Sequence, residues 1–192
     1  VQQEMQAAQP SLRLTDSLMS PENAKHYMDW AERLAESSLI PDALRGKPAD
    51  VFIIMESGYQ IGLPIMQSLQ DIAVIKGRPC LWGDSMLGLV KSHRDFEWIK
   101  EEAIMNGISV AGYKCTIKRR NNEPHIQIFT LDDAKKAGVL GKAGPWTTHT
   151  TRMLQYKARN FCMRDTFPDA LKGMKAAEDV QDYIDADYEE EA

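Results

Sequence analysis

The sequence has few cysteines and no long apolar run. Its three cysteines are far apart, odd in number and never arranged as CxxC, which argues against a disulfide framework and against a structural zinc site. We therefore expect reduced thiols in a cytosol. No apolar stretch approaches the ~20 residues of a membrane span and no signal-peptide pattern opens the sequence, so we expect no contact with a membrane. The hydrophobic fraction of 43% suffices for one ordinary core.

Signatures of the common enzyme classes are also missing. There is no GxSxG elbow and no HxxxH or HExxH pair. Gly141 and Lys142 look like part of a phosphate-binding P-loop, but the first glycine and the Ser or Thr of that motif are absent, so nothing implies ATP. We expect no cofactor and no metal. One enzymatic alternative stays open, a metal-dependent nuclease using Asp132, Asp133 and His149, although helix capping explains the two aspartates more simply.

Carboxylates are missing from one long basic segment. Residues 134–164 hold seven Lys or Arg and no Asp or Glu, in a chain whose formal net charge is −5. The negative charge is concentrated in residues 178–192, which carry eight acids and no base. A basic segment kept clear of carboxylates indicates a negatively charged partner. An ordinary basic helix face, with its counter-charges elsewhere in the fold, is the alternative.

The hydrophobic periods predict an α+β fold. N-terminal helices are expected to begin at Pro21 and near Pro48, and the second ends at Gly62. An antiparallel strand meander follows, opening with a β-hairpin whose basic tip lies between residues 72 and 82. A long basic helix then closes the fold, after a short one with Asp132 or Asp133 near its start.

The charge and period changes also suggest how the chain is divided. We expect a loosely ordered N-terminal segment over residues 1–19 and a single domain over residues 20–177. Residues 178–192 would then form an acidic tail. Such a tail is usually solvated, and less often competes with nucleic acid for a basic face or docks a partner.

The long C-terminal helix has a readable core face. Leu154, Ala158, Phe161 and Cys162 fall within about 100° of one another on a helical wheel, which predicts that they are buried. Four cations border this stripe, Arg152 and Arg159 on one side and Lys157 and Arg164 on the other. We therefore expect two basic rows that reach solvent.

The start of this helix lacks the acidic residue that most helices carry there. Trp146 follows a Gly-Pro pair and precedes a run of threonines around His149, with Lys142 just outside. The exposed N–H groups and the positive end of the helix dipole are thus left open, and a phosphate would fit. A plain threonine N-cap is the alternative.

The order of these residues resembles a known motif. Gly144-Pro145-Trp146, His149, Arg152-Met153-Leu154, Lys157-Ala158, Cys162 and Arg164 resemble, in the same register, the C-terminal motif of the Redβ/RecT family of phage single-strand annealing proteins. The order of the upstream elements agrees, so the resemblance covers roughly residues 45–176. Thr151 stands where Redβ has a second base, so one phosphate contact is expected to be missing. Residues 1–44 match nothing in that family.

The resemblance implies a protein that is not an enzyme, coats single-stranded DNA and anneals it to a complementary strand without ATP in homologous recombination and DNA repair. It implies a homo-oligomer (ring or helical filament), an annealed duplex intermediate, a phage exonuclease partner and a bacterial host cytoplasm. The expected DNA-binding residues are Lys76, Arg78, Lys118, Arg119, Lys135, Lys136, Lys142, Trp146, His149, Arg152, Lys157, Arg159 and Arg164. Two further alternatives are a sequence-tolerant single-stranded DNA or RNA binder without annealing activity, and an assembly scaffold that binds a neighbour's acidic tail.

Overall fold

The computed structural model of the protein describes residues 21–182. The expected loose segment 1–19 and most of the acidic tail lie outside these residues. Backbone proximity divides the chain into two compact units, residues 1–70 and 71–192, and each is described by itself. The expected single domain over residues 20–177 stays a prediction. None of the helices within residues 21–182 is long and apolar enough to cross a membrane.

The first unit is helical, as the sequence predicts. Its elements are α1 (Pro21–Ala35), a 3-10 turn (Asp42–Leu44), α2 (Pro48–Ile61) and α3 (Ile65–Asp71), whose last residue already belongs to the second unit. Helix α1 packs against α2. At the end of α2, Gly62 adopts a left-handed conformation with φ 85°, and the next amide, that of Leu63, donates to the Gly58 carbonyl at 2.8 Å. The expected glycine stop of this helix is therefore confirmed.

Helices α2 and α3 approach closely at a glycine. A methyl group added to Gly58 would lie 1.8 Å from Oγ and 2.4 Å from Cβ of Ser68. Ser68 is fully buried, and its hydroxyl donates to the Pro64 carbonyl at 2.9 Å. Because neither the serine nor its backbone has room to move away, only glycine fits at this crossing.

The second unit contains two antiparallel sheets and the helices packed on them. Strands β1 (Ile72–Ile75) and β2 (Arg78–Leu81) form the predicted hairpin, and β3 (Phe96–Asn106), β4 (Ser109–Arg119) and β5 (His125–Thr130) form a three-stranded meander in that order. The helices are α4 (Gly83–Ser92), α5 (Leu131–Lys136), α6 (Pro145–Thr148), α7 (Thr150–Thr166) and α8 (Pro168–Leu171). The α+β prediction is confirmed. Strand β3 runs well beyond the short stretch, Phe96 to Trp98, that alternation marked in the sequence.

Helix α7 lies across β4 and β5 and forms the core of this unit with them. Leu154, Ala158 and Cys162 are each at most 1% exposed, and Cys115 and Ile117 of the sheet are equally buried. The Cys162 thiol donates to the Cys115 carbonyl at 3.5 Å. The predicted core stripe of the long helix is thus confirmed for these residues. The chain then returns along β2, where the Leu81 amide donates to the Lys175 carbonyl at 2.9 Å, and continues into a helical turn over residues 177–182.

We predict that Gly58→Ala lowers the free energy of unfolding by about 1–3 kcal/mol, because the new methyl group overpacks the crossing of α2 and α3. Gly88→Ala is the matched control, since Gly88 is an exposed helical glycine with nothing within 4 Å of an added Cβ. It should raise stability by about 0.5–1 kcal/mol. Urea unfolding followed by circular dichroism measures both. Equal shifts in the same direction would contradict the close approach.

Candidate nucleic-acid interface

An open groove lies at the N-terminus of α7. It has a volume of about 550 Å³ and is lined by Tyr113, Thr147, Thr148, His149, Thr150, Thr151, Arg152 and Gln155. None of these lining residues is acidic, and the first turn of α7 contains no carboxylate. His149 precedes the helix with φ −139° and its side chain makes no capping hydrogen bond. The alternative of a threonine N-cap therefore does not apply to this helix.

Three of the four threonine hydroxyls of the groove are already used within the loop. Thr147 and Thr148 both donate to the Gly144 carbonyl, at 2.8 and 3.1 Å, and Thr150 donates to the Trp146 carbonyl at 2.7 Å. These bonds hold the short α6 turn against the start of α7. Because these three hydroxyl hydrogens are committed, the groove offers an anion mainly the positive end of the helix dipole and its cationic side chain.

Arg152 is the cation of the groove, and its polar partners are neutral. One guanidinium nitrogen donates to Gln155 Oε1 at 2.9 Å and the other to the Tyr156 hydroxyl at 3.0 Å. The guanidinium also lies 4.4 Å from the centre of the Tyr156 ring. These contacts fix the direction of the side chain, while the residue stays exposed. The hydrogen bond to Tyr156 raises the pKa of Arg152. The nearby carboxylates of Asp84 and Glu101 add to this shift without a direct ion pair.

Two other cations of α7 lie inside the fold instead. Lys157 and Arg159 are each 4% exposed. The Arg159 guanidinium makes two hydrogen bonds to the Glu101 carboxylate on β3, at 3.0 and 2.8 Å. The Lys157 ammonium lies 2.9 Å from Asp179 Oδ1 and 2.7 Å from Asp182 Oδ2. Of the two expected basic rows, these members face internal carboxylates, where a nucleic-acid backbone has no access.

Asp182 connects the motif residues Trp146 and Lys157. Its Oδ1 accepts a hydrogen bond from Trp146 Nε1 at 2.8 Å, while its Oδ2 faces the Lys157 ammonium. Trp146 itself is 3% exposed and packs on Phe129. Burial alone would lower the pKa of Lys157, but the carboxylates of Asp179 and Asp182 outweigh it, so that pKa lies above its ordinary value.

The cations at the end of β4 are also engaged. Arg119 forms a paired contact with the Asp169 carboxylate at 2.7 and 2.6 Å and stacks over the Phe167 ring at 4.9 Å. The hydrogen bonds from Arg119 lower the pKa of Asp169 to about 2. Lys118 donates to the Asn122 carbonyl in the following turn. Arg119 therefore ties this strand to α8, and its charge is largely neutralised.

The remaining expected residues are distributed over other parts of the second unit. Lys135 and Lys136 are exposed in the last turn of α5, and Lys76 and Arg78 are exposed at the β1–β2 turn, where Lys76 and Gly77 both have positive φ. Arg164 and Lys142 are half-buried. The Lys142 ammonium is itself covered, and no hydrogen-bond partner for it occurs among residues 21–182. Of the thirteen expected residues, the groove lining brings together only His149 and Arg152.

The two aspartates of the nuclease alternative lie in the first turn of α5, and Asp133 caps that helix. Thr130 and Asp133 form a reciprocal capping box at the start of α5, in which the Asp133 carboxylate accepts from the Thr130 amide at 2.9 Å. The hydrogen bonds from the Thr130 hydroxyl and amide lower the pKa of Asp133. Over the described part of the chain, no three His, Cys, Asp or Glu side chains are arranged to hold a metal ion.

Sequence reasoning missed four residues of this region. Tyr113 and Gln155 line the groove, and neither carries a charge or belongs to a motif that would have marked it in the sequence. Asp179 and Asp182 belong to an acidic run that pointed to a solvated tail. Their signal was the helical i, i+3 spacing beside the apolar pair at 176–177, which marks one buried side of that segment.

Comparison with known proteins gives one family. The model of the RecT family matches residues 68–192, which is more than half of the chain. No curated protein matches the sequence.

We predict that Lys157→Met lowers the free energy of unfolding by ~3–5 kcal/mol, because it leaves two buried carboxylates without their cation. Arg152→Ala should change stability by less than about 0.5 kcal/mol, since its side chain is exposed and its partners are neutral. Chemical denaturation at neutral pH measures both variants. A stable Lys157→Met protein would contradict the internal pairing seen here.

Proposed function

The chain belongs to the RecT family, the family of phage single-strand annealing proteins, and from that membership we propose that it binds single-stranded DNA and anneals it to a complementary strand without ATP. The strands are held by their backbones in a basic groove that several copies of the chain form together. No covalent bond is made or broken, so the protein is not an enzyme in this proposal. A phage exonuclease would supply the single strands.

The observation that carries this proposal is the groove at the start of α7. The N-terminal end of a long helix, with no carboxylate in its first turn and an exposed arginine held by two neutral hydrogen-bond partners, is suited to a phosphate group. The orientation of Arg152 by Gln155 and Tyr156 lowers the entropy that the side chain would lose on binding. Such contacts read the backbone and leave base edges free, so little sequence preference is expected.

Annealing needs more positive charge than the groove at the start of α7 contains in a single copy of the chain. Two complementary backbones repel each other, and cations from adjacent subunits must screen both of them at once. We assign this role to the exposed cations outside the groove, Lys135 and Lys136 on α5 with Lys76 and Arg78 on the hairpin, and to the half-buried Arg164. Lys142, whose ammonium is covered, is not part of this set. Lys157, Arg159 and Arg119, with their internal carboxylates, and Trp146 shape the interface from inside.

Annealing is distinguished from its alternatives by mixing two complementary oligonucleotides with the protein, without ATP, with and without magnesium. We expect pairing to run faster than in the protein-free control under both conditions. Binding without faster pairing would identify a single-strand binder that does not anneal. Loss of intact strands on addition of magnesium would identify a nuclease and contradict the proposal.

The dependence of binding on salt tests the groove itself. Arg152→Ala should weaken single-strand binding for all sequences and reduce the slope of log Kobs against log salt by ~0.7, the value of one single-strand phosphate contact. Lys91→Ala is the matched control, because Lys91 is an exposed cation on α4 outside the groove. Fluorescence anisotropy between 50 and 300 mM salt measures both slopes. An unchanged slope in Arg152→Ala would show that the strand binds elsewhere on the protein and not in this groove.

A further inference from the structure

The acidic residues at 179 and 182 are part of the same unit as the groove. Asp179 is 1% exposed and Asp182 is 7% exposed, so both are as buried as the core residues around them. They follow the β2 contact at Lys175 and face α7 from the other side of Lys157. The acidic run thus begins with an internal element of the fold.

Asp182 uses both carboxylate oxygens, and each goes to a different part of the groove's support. Oδ1 holds the indole of Trp146, the residue directly before the groove threonines, and Oδ2 holds Lys157 in the middle of α7. The segment from Thr147 to Arg152 therefore lies between two anchors that one carboxylate joins. Motion of Trp146 relative to α7 would change the spacing of every residue that lines the groove.

We propose that Asp182 is a positioning residue for nucleic-acid binding: its carboxylate clamps the Trp146 turn to Lys157 and holds the start of α7 in the shape that receives a phosphate. This inference rests on the proposed function. In this inference, the acidic residues at 179 and 182 promote DNA binding. The alternative stated for an acidic tail, competition with nucleic acid for the basic face, would have the opposite effect.

Burial decides between a clamp and a competitor. A segment that mimics DNA has to leave its cations when DNA arrives, and those cations must then be accessible to phosphate. Lys157 is 4% exposed and its ammonium is enclosed by Asp179 and Asp182. Departure of the segment would break both ion pairs of Lys157 and the hydrogen bond to Trp146. It would also expose Ala176 and Ala177, which are 0% exposed. The segment is therefore packed as a part of the fold, and we expect its carboxylates to stay with Lys157 when DNA binds.

The test compares Asp182→Asn with two controls in the full chain. Glu97→Gln removes the same charge from an exposed position on β3, and Gln181→Ala changes the exposed neighbour of Asp182. Binding of a fluorescent oligo-dT strand is measured at fixed salt. We expect Asp182→Asn to bind about tenfold more weakly, the value of one lost charge-assisted hydrogen bond. Both controls should bind like the wild type, and Asp182→Glu should recover part of the affinity.

Tryptophan fluorescence gives a readout that does not need DNA. Trp30, Trp82 and Trp98 are each at least 40% exposed, whereas Trp146 is 3% exposed, so emission shielded from acrylamide reports on Trp146. Asparagine keeps an acceptor oxygen but loses the charge that pairs with Lys157, so we expect Asp182→Asn to lose part of this shielded fraction while its circular dichroism stays that of the wild type. Loss of shielding in the controls as well, or its full retention in Asp182→Asn, would overturn the clamp.

A second variant covers the case in which Asp182→Asn does not fold. Trp146→Phe keeps an aromatic ring against Phe129 and removes the indole N–H that donates to Asp182, together with part of the buried ring volume. It should also bind the oligonucleotide about tenfold more weakly. Equal or tighter binding by either variant overturns the inference and favours a competitor. Failure of the wild type to bind any strand would instead refute the proposed function, and the fluorescence result would still decide whether Asp182 holds Trp146.

Discussion

The interface depends on how α7 pairs its buried charges. A cation taken out of water is strongly unfavourable unless a carboxylate accompanies it, and α7 buries two cations within three residues. Lys157 takes its partners from the C-terminal segment and Arg159 takes Glu101 from β3. These two requirements fix what lies on either side of the helix, since both the meander and the C-terminal turn must reach it. At the N-terminus of α7 the pairing of buried charges gives way to an exposed cation, Arg152, in the groove.

The cations of this helix therefore fall into two groups, buried ones that stabilise the fold and an exposed one that is available to a ligand. The buried cations have anionic partners and contribute to the packing of the unit, whereas Arg152, five residues before Lys157, is exposed and hydrogen-bonds only to neutral side chains. The same division occurs at the end of β4, where Arg119 is neutralised by Asp169 and the next residue, Arg120, is exposed. The positive surface offered to a polyanion is consequently much smaller than the number of basic residues in the segment suggests.

Local sequence patterns predicted the helices and strands well, but they predicted poorly which charged side chains are buried and paired. The Pro48 start and the Gly62 stop of α2, the hairpin and the core stripe of α7 all follow from signals within a few residues. Lys157 and Arg164 share one border of that stripe, yet only Lys157 is buried, because Asp179 and Asp182 cover it. These partners lie more than twenty residues away in the sequence, so the local pattern does not reveal them. Periodicity describes one helix at a time, and it contains no information about the carboxylates that other elements bring.

We propose that strands are held at the start of α7 while the interior charges of this helix stay paired. Ultraviolet crosslinking of the protein to a single-stranded oligonucleotide, followed by mass spectrometry of the peptides, shows which residues lie against the strand. We expect crosslinks within residues 147–152 and at exposed positions such as Lys135 and Lys136, with none at Lys157 or Arg159. Crosslinks concentrated at Lys157 would contradict it, because they would require the C-terminal carboxylates to leave.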